Sequence, residues 1–201
     1  MIEKKLLLDS SKNPFDLFEE WFEEASIKEI NDHNAMNLST VSKDFKPSSR
    51  MVLLKSYNNQ GFVFYTNTKS KKGNFIKSKP YVALNFHWKT LLRQIRIEGK
   101  AIKVSNKEAD EYFATRPKKS QIAAWASDQS SELKDREILN KKIDYFQKKF
   151  KNIKSKRPSH WTGYRVKPEL IEFWQDMPYR LHDRLEYKKN KNKWIVRRLF
   201  P

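Results

Sequence analysis

The stretch SRMVLLKSYNNQGFVFYTNTKSKK, Ser49–Lys72, decides the fold class. Its two apolar runs, Met51–Leu54 and Phe62–Tyr65, are rich in β-branched and aromatic residues and predict strands. Asn58-Asn59-Gln60-Gly61 between them is a turn signal, so the pair is expected to form a hairpin. Cations bracket it: Arg50 and Lys55 on the first strand, Lys69, Lys71 and Lys72 after the second. A rigid hairpin with basic edges can hold a phosphate or another anion. Taken alone, it also fits a surface hairpin of a lysine-rich protein.

On either side of this stretch the pattern stays mainly β. Ala35–Val41 predicts a strand, and Ser42–Ser48 a turn into the hairpin. Gly73–Ser78 predicts a short helix stopped by Pro80. Tyr81–Trp88 and Arg93–Val104 predict strands, the latter with Ile95, Ile97, Gly99 and Ala101 on one face. Ser105-x-x-Glu108 is a capping box opening a helix to about Thr115. Further helices are expected over Gln121–Ala126 and about Glu132–Lys149, followed by a loop over Ile153–His160. Trp161–Val166, Leu170–Gln175, Leu181–Tyr187 and Trp194–Leu199 predict four more strands, with Lys188–Lys193 as the last hairpin turn. Upstream, Asn13-Pro14 starts a helix whose apolar face is Phe15, Phe18 and Phe22 with Leu17, Trp21 and Ala25. Five strands, a helical insertion and four strands joined by short turns argue against a doubly wound parallel sheet. They imply an antiparallel barrel with helices packed outside. No linker or composition break divides residues 1–201, so one domain is expected, with the insertion at about 105–150.

Composition narrows the chemistry. The 201 residues carry a net charge of +18 and no Cys. Thiol catalysis, cysteine-ligated zinc, iron–sulfur clusters and disulfides are excluded. The charge makes a polyanion partner a candidate. The cations are spread along the chain, however, and a small phosphorylated ligand explains local clusters equally well. No apolar run approaches a membrane span or a signal-peptide core, so a cytoplasmic protein is the expectation. With four Gly there is no phosphate-binding glycine loop. His33, His87, His160 and His182 form no metal-binding pair, so no metal is expected.

Two polar sets stand out. Alternation along Arg180-Leu181-His182-Asp183-Arg184 would put Arg180, His182 and Arg184 on one strand face, a costly arrangement without an anionic partner. Tyr112 and Arg116 lie one helical turn apart, with Ser120 beyond Pro117, and together supply donors for a phosphate ester. An exposed strand face and a helix C-terminal cation are the plainer readings of the two. Trp125, Trp161 and Trp174 read as core.

Taken in order, RMVLLK at 50–55, FYTN at 64–67, SKK at 70–72, RPxxSQIxAW at 116–125, QSS at 129–131, IEFWQ at 171–175 and RLHDR at 180–184 make the chain resemble the pyridoxamine 5′-phosphate oxidase family. The resemblance spans residues 14–201. It implies an FMN-binding split β-barrel and a homodimer with two FMN sites in the subunit interface. It also implies oxidation of pyridoxine 5′-phosphate or pyridoxamine 5′-phosphate to pyridoxal 5′-phosphate, with O2 reduced to hydrogen peroxide, in vitamin B6 metabolism. By resemblance, Arg50, Met51, Val52, Leu53, Leu54, Lys55, Tyr65, Thr66, Lys71, Lys72, Gln94, Gln129, Ser130, Trp174 and Arg184 would contact FMN. Lys55, Tyr112, Arg116 and Ser120 would hold the substrate phosphate, and Arg180 and His182 would meet the substrate ring as the catalytic pair.

Four departures accompany the resemblance, one of them the glycine-poor Thr162-Gly163-Tyr164 where a Gly pair is common. MIEKKLLLDSSK lacks the arginine- and tyrosine-containing segment that can cover the substrate in the family. Lys71-Lys72 stands where an Arg-Lys pair is usual, which keeps charge and loses a planar fork. Asp176-Met177-Pro178-Tyr179 replaces a glycine-rich segment before RLHDR. Three rival readings remain at this level: another flavoprotein oxidoreductase on the same barrel, a flavin-binding protein without turnover, and a non-enzymatic nucleic-acid-binding protein.

Overall fold

The computed structural model describes residues 7–201. The expected lack of a covering N-terminal segment concerns residues 1–12, of which 1–6 lie outside the described residues. The chain is anchored from Leu8 onward. Leu8 is buried, its N–H donates to the Asp183 carboxylate at 2.6 Å, and its carbonyl accepts from Arg198 at 2.8 Å.

Helix α1 (Pro14–Lys28) begins as the sequence dictates, with Asn13 accepting from the Phe15 N–H and Pro14 in the first turn. Nine antiparallel strands are found among the described residues: β1 (Ala35–Val41), β2 (Pro47–Leu53), β3 (Ser56–Asn58), β4 (Gly61–Asn67), β5 (Tyr81–Trp88), β6 (Arg93–Lys103), β7 (Trp161–Gln175), β8 (Asp183–Asn190) and β9 (Lys193–Leu199). Helix α2 (Lys71–Ser78) separates β4 from β5. Helices α3 (Asn106–Thr115), α4 (Lys118–Ala126) and α5 (Arg136–Lys149) lie between β6 and β7.

The sheet runs β2-β1-β5-β6-β7-β4-β3, and β8 and β9 continue from β7. β7 is therefore the spine. Along one edge it pairs with β6. Along the other it pairs first with β4 and then with β8, so the sheet forks there. The curl closes after β2, where the Lys55 N–H donates to the Val63 carbonyl of β4 at 2.8 Å. A mainly β barrel with packed helices is what the sequence predicts, and the split at β7 matches the implied split barrel. Among the described residues no helix is long and apolar enough to cross a membrane.

The aromatic face of α1 fills the barrel. Phe18 is fully buried and meets Phe62 and Phe86 edge-on, at 4.8 and 5.5 Å between ring centroids. Trp21 stands perpendicular to Phe173 at 5.3 Å. Such rings contribute large buried areas and favourable edge-to-face geometry together.

Several expected boundaries shift. Met51–Leu54 and Phe62–Tyr65 are not hairpin partners. β2 pairs with β1, and the Asn58–Gly61 turn belongs to the short β3–β4 hairpin. Trp161–Val166 and Leu170–Gln175 are one continuous strand, whose register slips at Glu98/Gly99 to pass Pro168. Six strands thus precede the helical insertion and three follow it. The last hairpin turn narrows to Lys191–Asn192, because Lys188–Asn190 extend β8. α5 starts at Arg136, capped by Asp135, rather than near Glu132. Arg180 lies in a single 3₁₀ turn, Pro178–Arg180, and His182 precedes β8, so Arg180, His182 and Arg184 do not share a strand face.

Candidate active site

A cavity of about 980 Å³ opens between β2, β4, the start of α2, the α3–α4 corner and the first residue of β7. That volume is of the size that takes a drug-sized or cofactor-sized molecule. Five cations line it, Arg50, Lys55, Lys71, Lys72 and Arg116, and among the described residues no carboxylate does.

Each cation is set by local structure. Arg50 projects from β2 across β1. Its guanidinium donates to the carbonyls of Leu38 and Ser48 at 3.0 and 2.8 Å, and to the hydroxyls of Thr40 and Ser48 at 2.7 and 2.8 Å. All of these acceptors are neutral, so none of them compensates its charge. Lys71 and Lys72 occupy the first turn of α2, which Ser70 caps by accepting from the Gly73 N–H. A cationic first turn opposes the helix dipole, and an anion placed there would satisfy both. The buried Lys72 ammonium donates to Gln129 Oε1 at 3.0 Å and Thr66 Oγ1 at 3.2 Å. Burial, together with the nearby charge of Arg50, pulls its pKa down to about 8.

Arg116 closes α3 as its C-cap, and Gln121 pins its carbonyl at 2.8 Å. Its guanidinium lies over the Trp161 ring, 4.7 Å from the centroid. Burial lowers its pKa, and its buried Nη1 has no hydrogen-bond partner among the described residues. An orphaned charged donor at a cavity wall is costly unless a ligand meets it. Beside it Tyr65, Tyr112 and Trp161 form a parallel aromatic wall, with Tyr65 and Tyr112 centroids 4.0 Å apart. Burial pushes the Tyr65 phenol up to about 12, so it stays a neutral donor.

The cavity gathers Arg50, Met51, Val52, Leu53, Lys55, Tyr65, Thr66, Lys71, Lys72, Tyr112, Arg116, Ser120, Gln129 and Ser130 of the expected set. Leu54 is absent from it: its side chain is buried in the core, and Asn34 satisfies both its N–H and its carbonyl. Gln94, Trp174, Arg180, His182 and Arg184 lie elsewhere. Gln94, Trp174 and Arg184 form one row across β6, β7 and β8. Trp161 and Trp174 stand near opposite ends of the fifteen-residue β7. In that second group the buried Glu172 holds Arg184 at 2.9 Å, while His182 packs on Trp174 with ring centroids 4.6 Å apart. Sequence reasoning missed Trp161 as the platform under Arg116. Nothing in its local pattern separates it from a core tryptophan.

Residues 22–150 match the family model described as pyridoxamine 5′-phosphate oxidase. Residues 161–201 match the pyridoxine 5′-phosphate oxidase C-terminal dimerisation region, which supports a homodimer. The pyridoxine/pyridoxamine 5′-phosphate oxidase of Caulobacter vibrioides is 54% identical over 192 residues, covering 96% of this chain and 86% of the relative. That of Acaryochloris marina is 51% identical over 189 residues, covering 94% and 86%. Among solved structures, PhzG from Burkholderia lata 383, in complex with tetrahydrophenazine-1-carboxylic acid, superposes with a TM-score of 0.89. It is 30% identical, and the match covers 94% of this chain and 93% of PhzG. A pyridoxamine 5′-phosphate oxidase-related, FMN-binding protein from Nostoc punctiforme shares the fold at 12% identity, with a TM-score of 0.76 and coverage of 94% and 99%. With both family models matched in order and half the residues identical to those oxidases, the chain belongs to the pyridoxamine 5′-phosphate oxidase family.

Proposed function

We propose that this chain is an FMN-dependent oxidase that converts pyridoxine 5′-phosphate or pyridoxamine 5′-phosphate to pyridoxal 5′-phosphate in vitamin B6 metabolism, acting as a homodimer. The observation that carries this is a cavity lined by five cations, without a carboxylate among the described residues, and with an orphaned arginine nitrogen. The reaction brings two phosphate monoesters together, one on the cofactor and one on the substrate. Each is nearly a dianion that needs cations and hydroxyls.

The donor set fits FMN. Arg50, Lys71 and Lys72 hold its phosphate, with Thr66, Gln129 and Ser130 beside them. FMN bound there would supply the redox chemistry for oxidation at substrate C4′, with O2 as the final acceptor reduced to hydrogen peroxide. Lys55, Tyr112, Arg116 and Ser120 hold the substrate phosphate, and Arg116 Nη1 gains the partner it lacks. The neutral phenols and the Trp161 wall exclude water on that side.

Arg180 and His182 orient the substrate ring, and Gln94, Trp174 and Arg184 complete the cofactor site. These five residues stand apart from the cavity within one chain. They therefore serve the cavity of the other subunit, so that each site draws on both chains. The match of 161–201 to a dimerisation region supports that arrangement.

Visible spectra of the purified protein test the function. A flavin spectrum that bleaches on anaerobic addition of pyridoxine 5′-phosphate and returns with air is expected. A flavin spectrum that does not bleach would transfer the chain to a different substrate. A colourless protein that takes up no FMN would overturn the reading and favour the nucleic-acid alternative.

A further inference from the structure

Seven residues, Asp176–His182, turn the chain from β7 into β8. Backbone hydrogen bonds fix the turn: the Asp176 N–H donates to the Leu92 carbonyl at 2.9 Å, and the Leu181 N–H to the Pro178 carbonyl at 3.1 Å. Within it Tyr179 and Arg180 both adopt left-handed backbone angles, φ 60° and 62°. Two consecutive non-glycine residues in that region are strained, and strain persists where surrounding structure enforces it. The result is a tight return that lays His182 on Trp174 and brings its Nδ1 to 2.9 Å from Asp176 Oδ1. The Met177 N–H also points at Nδ1, at 3.3 Å.

Nδ1 cannot serve both neighbours. The carboxylate requires a proton on it, and the amide requires a lone pair. The carboxylate contact is charge-assisted and the shorter of the two, which favours the proton on Nδ1 and the lone pair on Nε2 over the acceptor geometry that the Met177 N–H offers. We infer that Asp176 is a positioning residue for the oxidation, holding His182 in the Nδ1–H tautomer so that Nε2 meets the substrate as a hydrogen-bond acceptor. The inference rests on the proposed place of His182 at the substrate ring. An acceptor suits both substrates there, because the hydroxyl of one and the amine of the other are donors. The Met177 amide provides the alternative state. Without the carboxylate, Nδ1 accepts from that N–H, the proton moves to Nε2, and the acceptor becomes a donor.

The test uses FMN-loaded wild type, Asp176→Ala and Asp176→Glu, labelled with ¹⁵N-histidine. A His182→Asn sample identifies the His182 signals. Two-bond ¹H–¹⁵N correlations at about pH 9, where a free imidazole is neutral, read the tautomer. The expected result is Nδ1–H in wild type, Nε2–H in Asp176→Ala and Nδ1–H again in Asp176→Glu. In parallel, kcat on pyridoxine 5′-phosphate should fall about tenfold in Asp176→Ala, roughly 1.4 kcal/mol, and recover in part in Asp176→Glu. The FMN dissociation constant should be unchanged. The backbone anchor to Leu92 does not involve the substituted side chain, so the turn survives the change. Nε2–H in wild type, an unchanged tautomer in Asp176→Ala, or a changed tautomer with undiminished kcat would each overturn the inference. A wild type that does not oxidise the substrate would overturn the functional reading instead, and the spectra would still report whether Asp176 sets the ring.

Discussion

Lys72 is a buried ammonium that donates to neutral oxygens. Its folded pKa of about 8 lies below the 10.5 of an ordinary lysine. Between those values the unfolded chain holds the extra proton, so this group makes the ligand-free protein more stable as pH rises from 8 toward 10.5. A phosphate reverses the sign, because an adjacent dianion returns Lys72 to its charged form. Binding of FMN at pH 8.5 should therefore take up a proton, read as a buffer-dependent heat in titration calorimetry. The uptake should vanish at pH 6.5 and in Lys72→Met; equal heats in all buffers at pH 8.5 would remove Lys72 from the phosphate site. Arg116 makes a second prediction. Hydrogen bonds to charged groups contribute about 1.5–3 kcal/mol, so Arg116→Ala should lower kcat/KM for pyridoxine 5′-phosphate by about 10- to 100-fold with the flavin spectrum intact. An unchanged kcat/KM would free Arg116 from the substrate. For single residues the sequence was informative about type and poor about company. Arg50, Lys55, Lys71 and Lys72 were legible as a basic cluster and line one cavity, and RPxxSQIxAW carried Arg116 and Ser120. That Arg116 rests on Trp161, and that Leu54 faces the core, depend on packing between segments distant in sequence.

Elements with strong local signals were legible. The Asn13 and Ser105 caps, the alternation over Arg93–Lys103 and the aromatic face of α1 each follow from short-range chemistry. Pairing partners were not. β2 and β4 are close in sequence with a turn signal between them, yet that signal is consumed by the three-residue β3, and β2 turns back to β1 through Ser42–Lys46. The spine β7 reads as two strands in the sequence, but Pro168 between them lies within one continuous strand. The sheet accommodates it with a register slip opposite Gly99. A Cβ on Gly99 would stand 2.1 Å from the Lys167 carbonyl oxygen. Gly99→Ala should accordingly destabilise the protein by at least about 1–3 kcal/mol, measured by urea denaturation. A loss within experimental error would mean that β6 and β7 can part there without cost. The equivalent change on an exposed strand position such as Glu98 should be nearly silent.

Across the whole chain, the two family-model regions meet in one sheet, since β7 pairs with β4 and β6 and carries β8 and β9 with it. We expect residues 1–201 to behave as one domain, with a single transition that fluorescence and circular dichroism report at the same denaturant concentration. Separate transitions would divide the chain near residue 160. The proposed enzyme depends above all on Arg116 and Arg180 of one active site coming from different chains. Neither Arg116→Ala nor Arg180→Ala homodimers should turn over at more than a small fraction of the wild-type rate, although Arg180→Ala should keep its FMN. The decisive measurement is the activity of heterodimers carrying Arg116→Ala in one chain and Arg180→Ala in the other. One of the two shared sites then has both arginines intact, so turnover should return to about half the wild-type value per dimer. Heterodimers as inactive as either parent would refute the shared site, because each site would then lie within a single chain.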